Sequence, residues 1–208
     1  MTSTDVRVGP VIANDGLSTT LRGERTGSGC VVFGHAYYSE PSSRGNIMIA
    51  SQAVAGVAPG TALSTTPSLC IWNPVGSGLN LNIIATSVGY VSGTLGAGSI
   101  VYAQVTSQAA APTSGTELTP VCTKIGAGKG SGRAFTGSTV SSTPTIIKAA
   151  YVMGAFVGGA NNAPATAVDN IDGSICVQPG NCFVMHGVAG AGSSPLTMMS
   201  CTWEEVPQ

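Results

Sequence analysis

Charge is what this chain has least of. Only 8% of its 208 residues are Asp, Glu, Lys or Arg, against about 25% in an average soluble protein. Eight basic side chains nearly cancel nine acidic ones, leaving a net charge of −1. No basic field is available to hold nucleic acid or an anionic membrane surface. The shortage is not that of a disordered polar chain, because mean hydropathy is +0.30 and disorder goes with low hydrophobicity. So much apolar surface must be buried, and a lone soluble domain wants a more charged coat than this. Burial between subunits is therefore expected, since charged residues are depleted there. A surface of Ser, Thr, Asn and Gly is the competing expectation.

Other signals are missing too. The start, Met1-Thr2-Ser3-Thr4-Asp5-Val6-Arg7, has no basic-then-apolar pattern, so no signal peptide is expected and the chain is expected to be made and kept in the cytosol. No run reaches the roughly 18 apolar residues that cross a bilayer as a helix. No CxxC pair occurs among Cys30, Cys70, Cys122, Cys176, Cys182 and Cys201. They read as buried reduced thiols rather than as a metal or redox motif. One alternative stays open. If the last two strands form a hairpin, Cys182 and Cys201 come close enough for a cross-strand disulfide.

Helix signals are almost absent as well, with no sustained i, i+3, i+4 apolar period. What the chain does have is β-branched runs set between Gly, Pro, Asn and Ser. Residues 1–68 read as an extended N-terminal arm broken by turns at Gly9-Pro10 and Asn14-Asp15-Gly16. Val31-Val32-Phe33 and Asn46–Ala50 are its candidate strands, pairing with the domain or with a neighbour. Residues 69–208 read as a β-sandwich. Strands are expected at Leu69–Asn73, Leu79–Val91, Ser99–Val105, Val121–Ile125, from Thr145 to near Val157, and at Ile175–Val177. Cys182–Val188 and Leu196–Trp203 are expected to close as a hairpin around residues 190–195. Within Leu79–Val91, residues Leu79, Leu81, Ile83 and Ala85 share one face. Ala109–Thr119 and Ala160–Ala167 read as loops. About eight body strands fit an all-β, jelly-roll-like sandwich.

No candidate motif assembles into chemistry. Gly126-Ala127-Gly128-Lys129-Gly130-Ser131-Gly132-Arg133 resembles a phosphate loop but fails its spacing. Lys129 is followed by Gly130, and Thr123 stands where the first Gly belongs. It reads as a flexible surface loop whose Lys129 and Arg133 can meet an acidic partner. His186 is read as a core or interface histidine, and neither it nor His35 has enough ligands nearby for a metal. No GxSxG elbow places a nucleophile. Asp169-Asn170-Ile171-Asp172-Gly173 has calcium-type oxygens without the EF-hand spacing, and reads as an Asx-stabilised turn. Glu204 and Glu205 are adjacent, so they point to opposite faces and cannot act as a glycosidase pair. They read as a charged rim or edge guard. Trp72 and Trp203 read as sandwich plugs rather than sugar platforms. The expectation is a non-enzyme with no catalytic, cofactor-binding or metal residues.

Two segments carry a family resemblance. One is Ile71-Trp72-Asn73-Pro74-Val75-Gly76-Ser77-Gly78-Leu79-Asn80-Leu81, with Gly89-Tyr90-Val91-Ser92-Gly93 downstream. The other joins Pro179-Gly180-Asn181, Gly190-Ala191-Gly192 and Trp203-Glu204-Glu205-Val206-Pro207. Together they resemble virion-associated proteins of tailed bacteriophages, over about residues 69–208. The resemblance implies a jelly-roll-like subunit of the virion, a capsid decoration or cement protein. Such proteins form trimers or dimers that bridge neighbouring shell subunits, so the implied partners are its own copies and a major capsid protein. A tail or head-fibre component and a carbohydrate-binding jelly-roll module are the alternatives.

Overall fold

The computed structural model describes residues 36–153, 167–188 and 192–208. Pro41–Gln208 forms one compact unit, and Met1–Glu40 separates from it as another. The candidate strand Val31-Val32-Phe33, His35 and Cys30 lie outside the described residues.

Eleven strands and one helix occur among those residues: α1 (Ser39–Arg44), β1 (Ile47–Ser51), β2 (Leu69–Asn73), β3 (Leu79–Thr94), β4 (Gly98–Val105), β5 (Thr116–Leu118), β6 (Val121–Cys122), β7 (Arg133–Thr136), β8 (Thr145–Met153), β9 (Ala167–Val177), β10 (Asn181–Val188) and β11 (Ser193–Pro207). The helix has no apolar stripe and no buried residue, so no hydrophobic period announced it. Its ends are nevertheless regular. Glu40 lies in the first turn and Arg44 in the last, each at the favourable pole of the helix dipole. Gly45, at φ +79°, ends it in the left-handed conformation that glycine adopts freely.

The strands form two antiparallel sheets, in the orders β6-β1-β11-β3-β9 and β5-β7-β2-β10-β4-β8. Strands β5, β6 and β7 all fall between β4 and β8 in the chain. With them set aside, the other eight pair from the outside in: β1 with β11, β2 with β10, β3 with β9, and β4 with β8. Successive pairs alternate between the sheets. A long antiparallel ribbon wrapped in this way is a jelly roll. The all-β sandwich expected from the sequence is present, with eleven strands rather than eight.

The main core lies between the sheets. Leu81, Ile83, Met199 and Trp203 from one sheet meet Leu69, Ile71, Tyr102 and Phe183 from the other, and all are nearly inaccessible to solvent. At about 25 cal/mol per Å² of apolar surface, this layer is the main stabilising contribution. Trp203 is a plug of this core, as its sequence context suggested.

Four expectations need correction. First, β10 and β11 are not a hairpin. They lie in different sheets, and their pairing partners are β2 and β4, and β1 and β3. Cys182 and Cys201 are accordingly apart, in separate apolar clusters, and both are free thiols. Second, Ala85 does not continue the inward face of Leu81 and Ile83. The register of β3 shifts at Ile84 against both neighbours. This β-bulge switches the following residues to the other face, so Thr86 and Val88 are the buried ones. Third, Asp169–Gly173 is not a separate turn but part of β9. The excess residues near Asp172 and Gly173 bulge out with φ of +50° and +79°. Fourth, β5 lies in a stretch read as loop, β7 starts at the last residue of the glycine-rich stretch where no strand was expected, and β6 is only two residues of the longer strand expected at Val121–Ile125. The stretch 41–68, read as part of the arm, belongs to the compact unit, with β1 held between β6 and β11.

Candidate assembly surfaces

The central strands of the second sheet, β2, β10 and most of β4, are buried on both faces. All five residues of β2 are inaccessible, as befits an apolar run without alternation. Its outer face carries Cys70, Trp72, Ala103, Val105, Phe135, Val140, Cys182 and Val184, with Leu63 and Ala111 packed on them from the flanking loops. Trp72 donates its indole N–H to the Gln108 carbonyl at 3.0 Å. The Gln108 side chain in turn accepts the Ser141 N–H at 2.7 Å. Both tryptophans are therefore interior, and neither offers a face to a sugar.

His186 fastens this outer layer. Its Nδ1 accepts the Ser68 N–H at 2.9 Å, so the ring proton sits on Nε2 and is donated to the Ala62 carbonyl at 2.8 Å. Gly60 packs against the ring so closely that a Cβ there would lie 2.2 Å from Cε1. Burial pushes the imidazole below its ordinary pKa, with the Ala62 hydrogen bond opposing the shift. Both ring nitrogens are committed to backbone. This is the core histidine the sequence suggested, with no room for a proton-transfer role.

Polar side chains converge between the sheets near β8 and β9. The Tyr102 hydroxyl contacts Thr86 Oγ1 and donates to Asp169 Oδ2 at 3.0 Å. Tyr151 donates to the Thr86 carbonyl at 2.9 Å. Lys148 Nζ lies 3.0 Å from Asp169 Oδ2 and 5.3 Å from the Tyr102 ring centroid. Burial, as the largest cause, pushes the Tyr102 phenol far above its ordinary range, so it stays protonated. Each hydroxyl is spent on a neighbour, and the carboxylate is already neutralised. The cluster ties β3 and β9 to β4 and β8, and pairs the Lys148 ammonium with the Asp169 carboxylate there. A nearby pocket of about 220 Å³, lined among others by Gln104, Ile147, Cys176, Gln178 and Asn181, contains no carboxylate, imidazole or amine.

The glycine-rich loop is not the free loop that composition suggested. Ser131 and Gly132 donate their N–H groups to the Glu205 carboxylate at 3.0 and 2.8 Å. Trp203 Nε1 approaches the same group at 3.4 Å. Glu205 is buried and β11 is a central strand, so it is neither rim nor edge guard. Glu204, on the other face, is half-buried. The loop thus does bind an anion through its backbone, as glycine-rich turns can, but the anion is the protein's own. Arg133 begins β7 and makes a bidentate pair with Glu117, both bonds 2.7 Å. Its guanidinium also lies 5.4 Å from the Trp72 centroid and 5.1 Å from that of Phe135. The pair depresses the Glu117 carboxyl and raises Arg133. Of the two loop cations, Lys129 alone has no ion pair among the described residues.

The sheet ends differ in character. On one side the edges are β5, of three residues, and β6, of two. On the other they are β8 and β9. Strand β8 has register shifts at two points and carries Lys148, and β9 carries the bulge near Gly173. Short strands, bulges and an edge lysine all discourage pairing with a foreign strand. Yet β8 and β9 expose apolar side chains: Ile146, Ile147, Val152 (88%) and Val168 (64%). On this side apolar side chains are accessible while the strand edges themselves are interrupted. No three His, Cys, Asp or Glu residues gather as a metal site among the described residues, and no helix there is long and apolar enough to cross a membrane.

No family model matches the chain, and searches of curated proteins and of solved structures give no match.

Proposed function

We propose that this protein is a structural subunit of a virus particle, a decoration or cement protein of a phage head that binds its own copies and the shell. The observation that carries the reading is a jelly roll with an apolar side at β8 and β9. Jelly rolls serve viral capsids, lectins and cupins alike, and a fold alone does not choose among them. The side chains favour the capsid role. Both tryptophans are interior, both nitrogens of His186 are committed, and the one buried carboxylate of β11 holds a loop. What remains exposed and unexplained is apolar surface, the mark of an interaction site. Ile146, Ile147, Val152 and Val168 on so weakly charged a chain suit a second neutral copy, and the bulged edges keep such contact from running on as an open sheet.

The test is co-sedimentation with purified heads and tails of the phage that encodes the chain. Saturable binding to heads at a defined copy number supports the decoration role. Binding to tails alone moves the protein to the tail. A protein that stays in the supernatant and instead binds a glycan array overturns the proposal.

A further inference from the structure

The side of the sandwich opposite β8 and β9 has its own distinctive surface. Two adjoining hollows, of about 540 and 360 Å³, share Thr119, Pro120 and Lys129. Val121, Ile125 and Ala127 complete the larger one. Ile125 is 99% exposed and Val121 60%. Leaving an isoleucine wholly in water is unfavourable by roughly 1.5–3 kcal/mol relative to burying it, so its position asks for a cover. The platform is also held in place. Thr123 donates its N–H to the Ile47 carbonyl at 2.9 Å, and Ala127 to that of Lys124 at 2.9 Å. At the far end Glu205 grips Ser131 and Gly132. A surface already ordered loses less entropy when a partner binds.

Charge indicates the partner. Three of the eight basic residues of the chain fall between positions 124 and 133, and no acidic residue occurs from 118 to 168. Arg133 is taken by Glu117, which lines the smaller hollow and whose carboxyl also feels the Lys129 charge. Lys124 and Lys129 form no ion pair among the described residues, and Lys129 lines both hollows.

We infer that this hollow docks an extended, acidic segment of a neighbouring shell protein, with one bulky apolar side chain over Ile125 and Val121 and a carboxylate at Lys129. The inference rests on the reading of the chain as a shell-bound subunit. The apolar contact supplies most of the affinity, because exposed ion pairs contribute little. The lysines supply partner choice and association rate. Two lysines without an aromatic platform make a poor nucleic-acid groove, where binding grows with the number of phosphates neutralised.

The experiment measures binding to particles stripped of this protein. It compares the full chain, Ile125→Asp, the double variant Lys124→Glu/Lys129→Glu, and Val54→Asp as a control at a remote valine 87% exposed. All four positions are on the surface, and thermal melts confirm that each variant is folded. Both Ile125→Asp and the lysine reversal are expected to weaken binding about tenfold or more, with Val54→Asp unchanged and with affinity falling as salt rises. If the unaltered chain binds and both hollow variants bind equally well, this surface is not the contact while the shell-bound reading stands. If only the lysine reversal weakens binding, the apolar anchor is wrong. If the unaltered chain prefers duplex DNA to empty shells, the partner class is wrong. If it binds no particle at all, the shell-bound reading fails and takes this inference with it.

Discussion

Glu205 and Gly132 meet as carboxylate and backbone N–H at 2.8 Å, both buried, one on the last strand and the other at the end of the glycine-rich loop. Removing the acceptor leaves the buried Gly132 N–H without a partner and releases the exposed Ser131 N–H to water, and an unsatisfied buried donor costs about 1–3 kcal/mol. Glu205→Ala is therefore expected to lower unfolding free energy by about 1–3 kcal/mol in urea titrations. Glu205→Gln keeps one acceptor and should lose less. A change under about 0.5 kcal/mol in the alanine variant would mean that the loop holds itself.

His186 sets a pH dependence whose sign follows from its neutral state. Its folded pKa is lowered by burial, so the unfolded chain binds the proton more readily. Its contribution is complete above the unfolded value of about 6.5 and declines as pH falls below that toward the folded value. Denaturation midpoints should fall between about pH 7.5 and 5.5, and His186→Gln should flatten that fall. An identical pH profile in the variant would show that another group carries it.

Gly60 is bound to the same imidazole by space. It has φ +90°, and an added Cβ would strike the ring at 2.2 Å. Gly60→Ala combines left-handed strain with overpacking, and is expected to cost about 2–4 kcal/mol. A melting temperature equal to that of the unaltered chain would contradict the packing around His186.

Thiol labelling distinguishes the cysteines of the sandwich. Cys70, Cys122, Cys182 and Cys201 are buried and Cys176 is exposed, all as free thiols. Under native conditions an alkylating agent followed by peptide mass spectrometry should mark Cys176 first among these five, and slowly, because desolvation raises its pKa. The others should react only on unfolding. A Cys182–Cys201 disulfide in the same maps would refute the arrangement that puts Cys201 in the core between the sheets and Cys182 on the outer face of the second sheet.

Self-association should depend on the apolar side. Val152→Asp or Ile146→Asp, at positions 88% and 50% exposed, should leave the melting temperature within about 2 °C, since surface changes rarely exceed ±0.5 kcal/mol. In sedimentation-velocity runs the same variants should shift the protein toward monomer. Unchanged oligomers would place the contact between copies elsewhere.

The long strands were legible because apolar runs such as Leu69–Asn73 end at turn residues. Alternation also put Glu204 and Glu205 on opposite faces. Three things were not legible. Strands of two to four residues, such as β6 and β7, exist only because β1 and β2 lie beside them. The bulge at Ile84 depends on two neighbouring strands at once. The separation of β10 from β11 belongs to strand order, which local pattern does not encode. The role of Glu205 was hidden for a related reason: its partners are backbone groups of residues 131 and 132, and backbone donors leave no mark on composition.

The outside-in pairing also sets a timetable for folding. Ile47 pairs with Glu204, and Met48 with Trp203, so β1 has no central partner until almost the whole described chain has been synthesised. Loop closure over that separation precedes the contacts that reward it, and sheets dominated by such distant pairings fold in milliseconds to seconds. Until then Ile47 and Met48 are exposed on the nascent chain. A host short of chaperone capacity should therefore limit the yield of this protein, whatever the stability of the finished sandwich.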